Sequence, residues 1–565
     1  MKPPIWFSAG LIAASVTTAS ATPQNASHKL SSTEEWVVAQ ATAGQIADLS
    51  EKFPKEEDRK LSALFLEDLL TGTVPGVKLH RHGVQIVGAI IDEPIDLRNA
   101  HIPCEVHLEN CQFRSYVIFV NASFAREVSF DNSTFKAGSA FIAMHVGDVA
   151  SFDKAVFEGP AMFIGADIAR AFHANEGQFK NKAEGTSFNS MKVGHLASFN
   201  KAVFEGPVDF VGADIAGRFT ANEAQFKDKK EGISFNSMKV GNLASFNKAV
   251  FEGPGSFIGA DIAGDFDASE AQFKDKQAGA NFDSMQVGQI ASFNKALFEG
   301  PAMFIGAHMA GPFFANAAQF RDKKTGADFF FMKVGQVASF IMAVFEGPVD
   351  FRYADFVQLD LSNPFWPKLA TEFRMQEMSY KYIRAASKES ESHKALLKFA
   401  DQSAYTADVY TNLEQFFKRQ GYRADADRAF IAGKCREREE YFRSGDWGRW
   451  LGSWMLYLLV GYGRHPERAG YVGLGIVVLG CILFPLKKME LQDPKELEKP
   501  KEKRRQYNRF WYSLGLFLPV VDLKTSEVWG PKPQYRFLRH YVRVHILLGW
   551  ILVPLVLAAL TGLIK

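Results

Sequence analysis

The sequence predicts a mainly β solenoid with an α-helical cap before it, an α-helical collar after it and two transmembrane helices at the C-terminus. Three observations predict this. A 22-residue segment occurs four times, with a fifth partial copy, always 47 residues apart. Inside it, large apolar residues recur at steps of five and six, a period that suits neither one amphipathic strand nor one amphipathic helix. Two charge-free runs of 18 and 19 residues lie near the C-terminus. The composition excludes other classes. The chain has 565 residues, 65 Lys+Arg against 63 Asp+Glu, and a net charge of +2. This disfavours an acidic disordered chain and a nucleic-acid coat. Four Cys are too few for a disulfide framework. Phe is unusually frequent, at 51 against 15 Tyr and 9 Trp.

Residues 1–21 read as an export signal. Lys2 provides a positive start, Ile5 to Val16 an apolar stretch, and Ala19-Ser20-Ala21 a small-x-small cleavage site. The alternative is an uncleaved anchor. Residues 22–78 form the N-terminal cap, in which Ser32 to Leu70 is expected to be helical. Ser32-Thr33-Glu34-Glu35 fits a capping box. A solenoid needs such a cap over its first open edge.

Residues 79–361 are the repeat region. SFDKAVFEGPAMFIGADIARAF at 151–172 returns at 198–219, 245–266 and 292–313, and in part at 339–356. Large apolar residues stand at Ile86, Ile91, Leu97, Ile102, Leu108, Phe113, Phe119, Phe124, Phe130, Phe135 and Phe141. Two residues before most of them sits a small or β-branched residue, such as Ala100, Cys111 or Ala122. At Ala174, Ala221 and Ala268 the pair is inverted, with Phe172, Phe219 and Phe266 taking the bulky role. The 47-residue unit is four elevens plus three. The extra three fall in the nine-residue gaps Phe179–Phe188, Phe226–Phe235, Phe273–Phe282 and Phe320–Phe329.

Triplets such as Ala155-Val156-Phe157, Ala166-Asp167-Ile168 and Ala122-Ser123-Phe124 resemble the pentapeptide-repeat proteins. The resemblance covers about 86–361 and implies a right-handed quadrilateral β-helix, one repeat per side. The family steps by five, whereas every second step here is six. The extra residue is expected as a bulge at alternate corners. The 48 centre positions from Ile86 to Phe356 give 12 coils of four. Such a rod is on the order of 55 Å long. Its expected interior is a column of phenyl rings, each stacked on the ring of the next coil.

Residues 362–446 are expected to form the helical collar. Tyr410, Leu413, Phe417, Gly421, Ala426 and Phe430 fit a helix-turn-helix, read as a plain hairpin or a tetratricopeptide-like half-repeat. Residues 447–565 form the membrane module. Trp447 to Tyr462 is expected in the membrane interface, because Trp447, Trp450 and Trp454 favour that level. Spans are expected at about 469–486 and 546–564, since about 20 apolar residues cross a bilayer. The loop 487–508 carries eight Lys and Arg, and Arg536, Arg539 and Arg543 precede the second span. Positive loops stay cytoplasmic. The rod and both ends of the mature chain are therefore expected in the periplasm, on a bacterial inner membrane. GYGRHPERA at 461–469 and YSLGLFLPVVDL at 512–523 resemble the C-terminal two-span module of uncharacterised bacterial pentapeptide-repeat membrane proteins.

Candidate sites are few. Lys180, Lys182, Lys227, Lys229, Lys230, Lys274, Lys276, Arg321, Lys323 and Lys324 lie in the nine-residue gaps and would line one edge. They would either hold an anionic envelope polymer or lipid headgroups, or keep the rod solvated. His80 and His82 lack a third ligand nearby and read as surface residues. Cys104 and Cys111 do not need to pair. No P-loop, GxSxG, HExxH, dinucleotide glycine set or CxxC is present. No catalytic, cofactor-binding or metal residue is assigned, and neither an enzyme nor a cofactor is expected. Some pentapeptide-repeat proteins mimic DNA, but those are acidic and cytoplasmic, so no nucleic-acid partner is expected. The expected function is a membrane-anchored envelope scaffold or interaction protein. Its partners are the bilayer and a protein or anionic polymer bound by the rod. The alternative is a two-span channel-like protein with the rod as sensor, although the filter sequence TVGYG is absent between the spans.

Overall fold

The computed structural model describes residues 30–362, 372–518 and 525–561, and the chain divides into two units at Ala404/Tyr405. The expected signal at 1–21 lies outside the described residues. In the first unit the repeat region is a parallel β-solenoid of about 13 turns. Each coil has four short strands. In one coil these are Val149–Ser151, Val156–Phe157, Ala161–Met162 and Asp167–Ile168, here called faces 1 to 4. Every strand pairs in parallel with its equivalents one coil away. On face 2, Phe135 aligns with Phe157, Phe179 and Phe204. A coil takes 22 residues, or 25 where the insertion falls. One coil of each kind makes the 47-residue unit.

The alternating step has a corner-by-corner cause. The five-residue steps are hydrogen-bonded turns. Ala155 N donates to Phe152 O at 3.0 Å and Ala166 N to Phe163 O at 3.1 Å. The third turn residue has positive φ, 57° at Lys154 and 64° at Gly165, as in type II turns. The six-residue steps take the other two corners, between faces 2 and 3 and between faces 4 and 1.

The interior holds three columns of phenyl rings where the sequence led us to expect one kind of column. Face 2 stacks Phe113 through Phe345 at 4.5–5.3 Å between centroids. Face 3 stacks Phe141 through Phe351 at 4.5–5.2 Å. These spacings match the strand separation of a sheet. Face 4 instead buries aliphatic residues such as Val146, Ile168, Val193 and Ile215. Face 1 explains the inverted pairs. Its register runs Ala150, Phe172, Ala197, Phe219, Ala244, Phe266. Two residues on, Phe152, Ala174, Phe199 and Ala221 are also buried. Each ring thus faces an alanine in the next coil and leans diagonally on the next ring, as in Phe152–Phe172 at 5.6 Å and Phe172–Phe199 at 5.4 Å. Interiors pack to crystal-like density, and two rings on one face-1 strand would exceed the space that one ring and one methyl fill.

The cap differs from expectation in two ways: the stretch from Ser32 to Leu70 is not one helical segment but is interrupted by the strand Ala47–Asp48 and the bridge at Lys60, and its capping box begins one residue earlier. The N-cap of helix α1 (Ser32–Ala43) is Ser31, and its reciprocal partner is Glu34. The remaining cap residues close the first coil. Ala47–Asp48 pairs with Ile86–Val87, Lys60 bridges to Ile90, and helix α2 (Ala63–Thr71) lies beyond. The buried Glu34 also accepts from Ser62 Oγ at 2.7 Å, joining α1 to the start of α2. On face 3 no strand among the described residues covers the edge. There Asp96 N donates to the Glu67 carboxylate at 2.6 Å.

The far end corrects the boundary at 361. Phe373–Arg374 and Ser379–Arg384 are strands of a further coil, and helix α3 (Glu389–Gln402) packs against both. Phe399 stacks on Phe373 at 4.6 Å and so closes the column. The expected helical collar at 362–446 therefore begins with solenoid. The twelve-residue gap between Leu361 and Phe373 breaks the five/six stepping and hides this coil in the sequence.

The second unit is helical. Helices α4 (Ala407–Arg419) and α5 (Arg423–Arg443) form a hairpin across Gly421, whose φ is 86°. Helix α6 (Trp447–Val460) and helix α7 (Glu467–Leu483) follow, bent 116° from each other. Helix α8 (Arg509–Phe517) and helix α9 (Arg536–Leu560) complete the unit. Of the expected pair of spans, one is carried by a single helix. Only Arg536–Ala558 is by itself long and apolar enough to cross a membrane among the described residues. Helix α7 stops at Leu483, before Phe484-Pro485. Its 17 residues extend about 25 Å, short of the roughly 30 Å hydrocarbon core. Helix α9 starts ten residues before the expected span, because the basic stretch from Arg536 is helical too.

Candidate functional site

Two features of the rod and one of the helical unit are candidates. On the rod, the insertions and the Glu-Gly-Pro triplets share the corner between faces 2 and 3 and alternate coil by coil. Asn181, Asp228, Asp275 and Asp322 fold each insertion by accepting backbone N–H groups, as Asp275 Oδ1 does from Gln277, Ala278 and Gly279. The next coil lies against that turn so closely that a Cβ on Gly253 would stand 2.0 Å from Asp228 O. The expected basic ridge is thereby neutralised in part. Lys182, Lys229, Lys276 and Lys323 reach Glu205, Glu252, Glu299 and Glu346 of the following coil at 3.2–3.8 Å. Exposed pairs of this kind contribute little stability.

The sequence reading missed two polar ladders. At the corner between faces 1 and 2, Asn222 N donates to Asn200 Oδ1 at 3.0 Å. Asn222 Oδ1 in turn accepts from Ser245 Oγ at 2.6 Å and Asn247 N at 3.0 Å. Between faces 3 and 4, Asn189, Asn236 and Asp283 each accept the N–H of the apolar residue one coil on, Val211, Ile258 and Ile305. The recurrent Ser-Phe-Asn at 187–189, 198–200, 234–236, 245–247 and 292–294 is the signal for both. The second corner thereby displays an apolar residue every two coils. It ends in Phe331 and Tyr353, exposed and stacked at 4.9 Å.

His80 and His82 do not come together with other ligands, and no group of metal-binding residues occurs among the described residues. His82 Nδ1 lies 3.1 Å from Gly44 O, and His80 fills the space a Cβ on Gly44 would need. Both rings fasten the cap to the rod. The four cysteines are free. Cys111 is inward, as expected, and burial pushes its thiol up to about 12.

In the helical unit GYGRHPERA builds an elbow. Gly461, Tyr462 and Gly463 all have positive φ, 52°, 55° and 87°. The left-handed region costs a non-glycine residue roughly 1 kcal/mol or more. Tyr462 is held there by its hydroxyl, 2.8 Å from Ser453 Oγ and 3.3 Å from Arg438 Nη1. Arg464 ties the elbow to the hairpin through Glu414 and, at 3.1 Å, Asp427, and it lies over Phe430 at 4.4 Å. A cavity of about 370 Å³ opens beside the elbow, lined by Lys434, Glu437, Tyr441, Arg449, Ser453 and Tyr462 among others. Burial raises the Glu437 carboxyl, but Lys434 and the Tyr441 hydroxyl outweigh it and hold it below the usual range.

Helix α8, which holds the first half of YSLGLFLPVVDL, packs between α7 and α9. Gly480 leaves room for Ser513 Oγ, and Gly549 for the Phe517 carbonyl, where a Cβ would approach to 2.1 and 1.9 Å. Ser513 Oγ donates to Val477 O at 2.8 Å, and His545 Nε2 lies 3.0 Å from Ser513 O. Small residues with interhelical hydrogen bonds are how helices associate in lipid. The rod is thus a parallel β-solenoid of about 13 turns with regular phenyl stacking, consistent with a rod of the pentapeptide-repeat type. No family model, curated protein or solved structure matches the chain.

Proposed function

We propose that this protein is a membrane-anchored scaffold of the bacterial envelope that presents its β-helical rod as a binding surface. The observation that carries the reading is the locked register. Ring columns, corner ladders and interlocked turns fix the outer side chains at one coil spacing over about 13 turns, about 60 Å. A surface so regular suits an extended partner better than a small substrate. Helix α9 supplies the anchor, and the glycine-lined packing of α7 and α8 against it supports a bilayer setting. The similarity to two-span pentapeptide-repeat membrane proteins, the cleaved signal and the periplasmic rod belong to the same reading. Flotation with liposomes tests the anchor. Protease added to spheroplasts tests the side: the rod is expected to be digested without lysis, and digestion only after lysis would overturn the periplasmic placement. Cross-linking in intact cells, followed by purification, is expected to recover a partner on the rod.

A second reading is favoured by one observation. Trp447–Gly463 and Glu467–Leu483 qualify together as a broken span or a re-entrant loop, a shape used in channels. A selective current from the purified protein in liposomes would replace the scaffold reading with this one.

A further inference from the structure

We propose that a cavity between α5 and α6 binds the phosphate of one anionic phospholipid, with Arg438 as its anchor. The inference rests on the membrane reading above and deepens it. The cavity, about 370 Å³, is lined by Arg438, Glu439, Phe442, Arg443, Trp450 and Trp454. Around it the cations are almost all spoken for. Lys434 pairs with Glu437, Arg436 with Glu439, Arg443 with Glu440 and Arg449 with Asp446, at 2.7–3.6 Å. Arg438 is the exception: among the described residues no carboxylate lies within ion-pair distance of it. It is nevertheless half-buried, with its guanidinium 3.8 Å over the Trp454 ring and 5.3 Å from that of Tyr457.

Arg438 Nη1 donates to the Tyr462 hydroxyl at 3.3 Å; stacking fixes the plane of the guanidinium, and its remaining edge N–H groups have no protein acceptor among the described residues. Arg binds phosphate through that edge with paired hydrogen bonds. Helix α6 shows where the phosphate comes from. Trp447, Leu451, Met455 and Leu458 recur at helical spacing and are 45–61% exposed, an apolar stripe left uncovered among the described residues of the unit. Trp450 and Trp454 lie on the flank of that stripe and form the cavity wall. A helix with such a stripe lies in the bilayer interface, and a cation on its flank then stands at headgroup level. An acyl chain beside Leu451 and Met455 and a phosphate on Arg438 satisfy both features with one molecule.

The test uses the full chain in nanodiscs of phosphatidylcholine with a minor fraction of phosphatidylglycerol. Lipids retained by the protein are counted by native mass spectrometry. Wild type is expected to retain phosphatidylglycerol over phosphatidylcholine by about tenfold. Arg438→Gln should abolish that preference and Arg438→Lys should keep part of it, while Lys487→Gln, in the basic loop, should leave it unchanged. Equal retention by wild type and Arg438→Gln, both inserted, overturns this inference alone. A wild-type chain that neither floats with liposomes nor enters nanodiscs overturns the membrane reading and the inference with it. Should Arg438→Gln fail to fold, headgroup photo-cross-linking of wild type decides: labelling within 438–454 supports the site, and labelling confined to 487–508 overturns it.

Discussion

Asparagine 222 shows how one side chain carries register. Its Oδ1 receives the Asn247 amide and the Ser245 hydroxyl of the following coil, so each coil finds its place on polar contacts as well as on rings. Asn222→Ala leaves that amide without its partner, at a cost of about 1–3 kcal/mol. Faster hydrogen exchange at Asn247 is the expected readout, and Asn222→Asp, which keeps the acceptor, should lose less. Glu67 is a second case. Burial raises its carboxyl first, while the Asp96 amide opposes and neighbouring acids reinforce the shift; the net is a rise above 4.5. The folded chain thus holds this proton more tightly than the unfolded one. The stabilisation is full below the ordinary glutamate value and is lost as pH climbs through the raised value. Glu67→Gln keeps a carbonyl for Asp96 and removes the charge. The cap is therefore expected to be more stable at neutral pH and less pH-dependent, as protection of the Asp96 amide would report.

Among elements, the corner between faces 2 and 3 leaves no room for a side chain. The glycines of Glu-Gly-Pro are there because the carbonyl of the insertion below occupies the place of a side chain. Gly253→Ala would force a methyl to 2.0 Å from Asp228 O, with backbone and not a flexible side chain as the obstacle. The expected cost is about 3 kcal/mol, the upper end for overpacking, read as loss of protection at Gly232 and Ile233 in denaturant. The elbow at 461–463 is the corresponding feature of the helical unit. It turns the chain between α6 and α7 and sets Tyr462 against Arg438.

For the whole rod, the repeat unit is two coils because two things alternate: the insertion and the position of the face-1 ring. Excision of residues 199–245, one full unit, rejoins Ser198 to Phe246 and recreates the native junction. The rod should stay folded, with spin labels at Arg126 and Lys295 brought closer by about 10 Å in a pulsed electron resonance measurement. Excision of residues 199–220, a single coil, makes Ala197 and Ala221 the two inward residues of one strand. That strand carries no ring, and the resulting void should destabilise the rod by several-fold more than the longer deletion does.

The periodicity of Phe and Ala, the position of the insertions and the Glu-Gly-Pro triplets were enough to settle a β-solenoid with an inward apolar column and extra residues at alternate corners. They act through neighbours along the chain or one coil away, and such contacts leave a regular trace. What depends on distant residues left none. The coil at 372–384 follows a gap without period. The lysines of the insertions meet glutamates 23 residues on, so they could not be recognised as paired until the two corners were superposed. Helix α7 matches a span in composition, yet its end at Leu483 and the bend at the elbow follow from packing against α6, α8 and α9. Arg438 is one arginine among many in the sequence; only the folded hairpin shows that its neighbours are neutralised and that it alone is left facing a cavity walled by tryptophan.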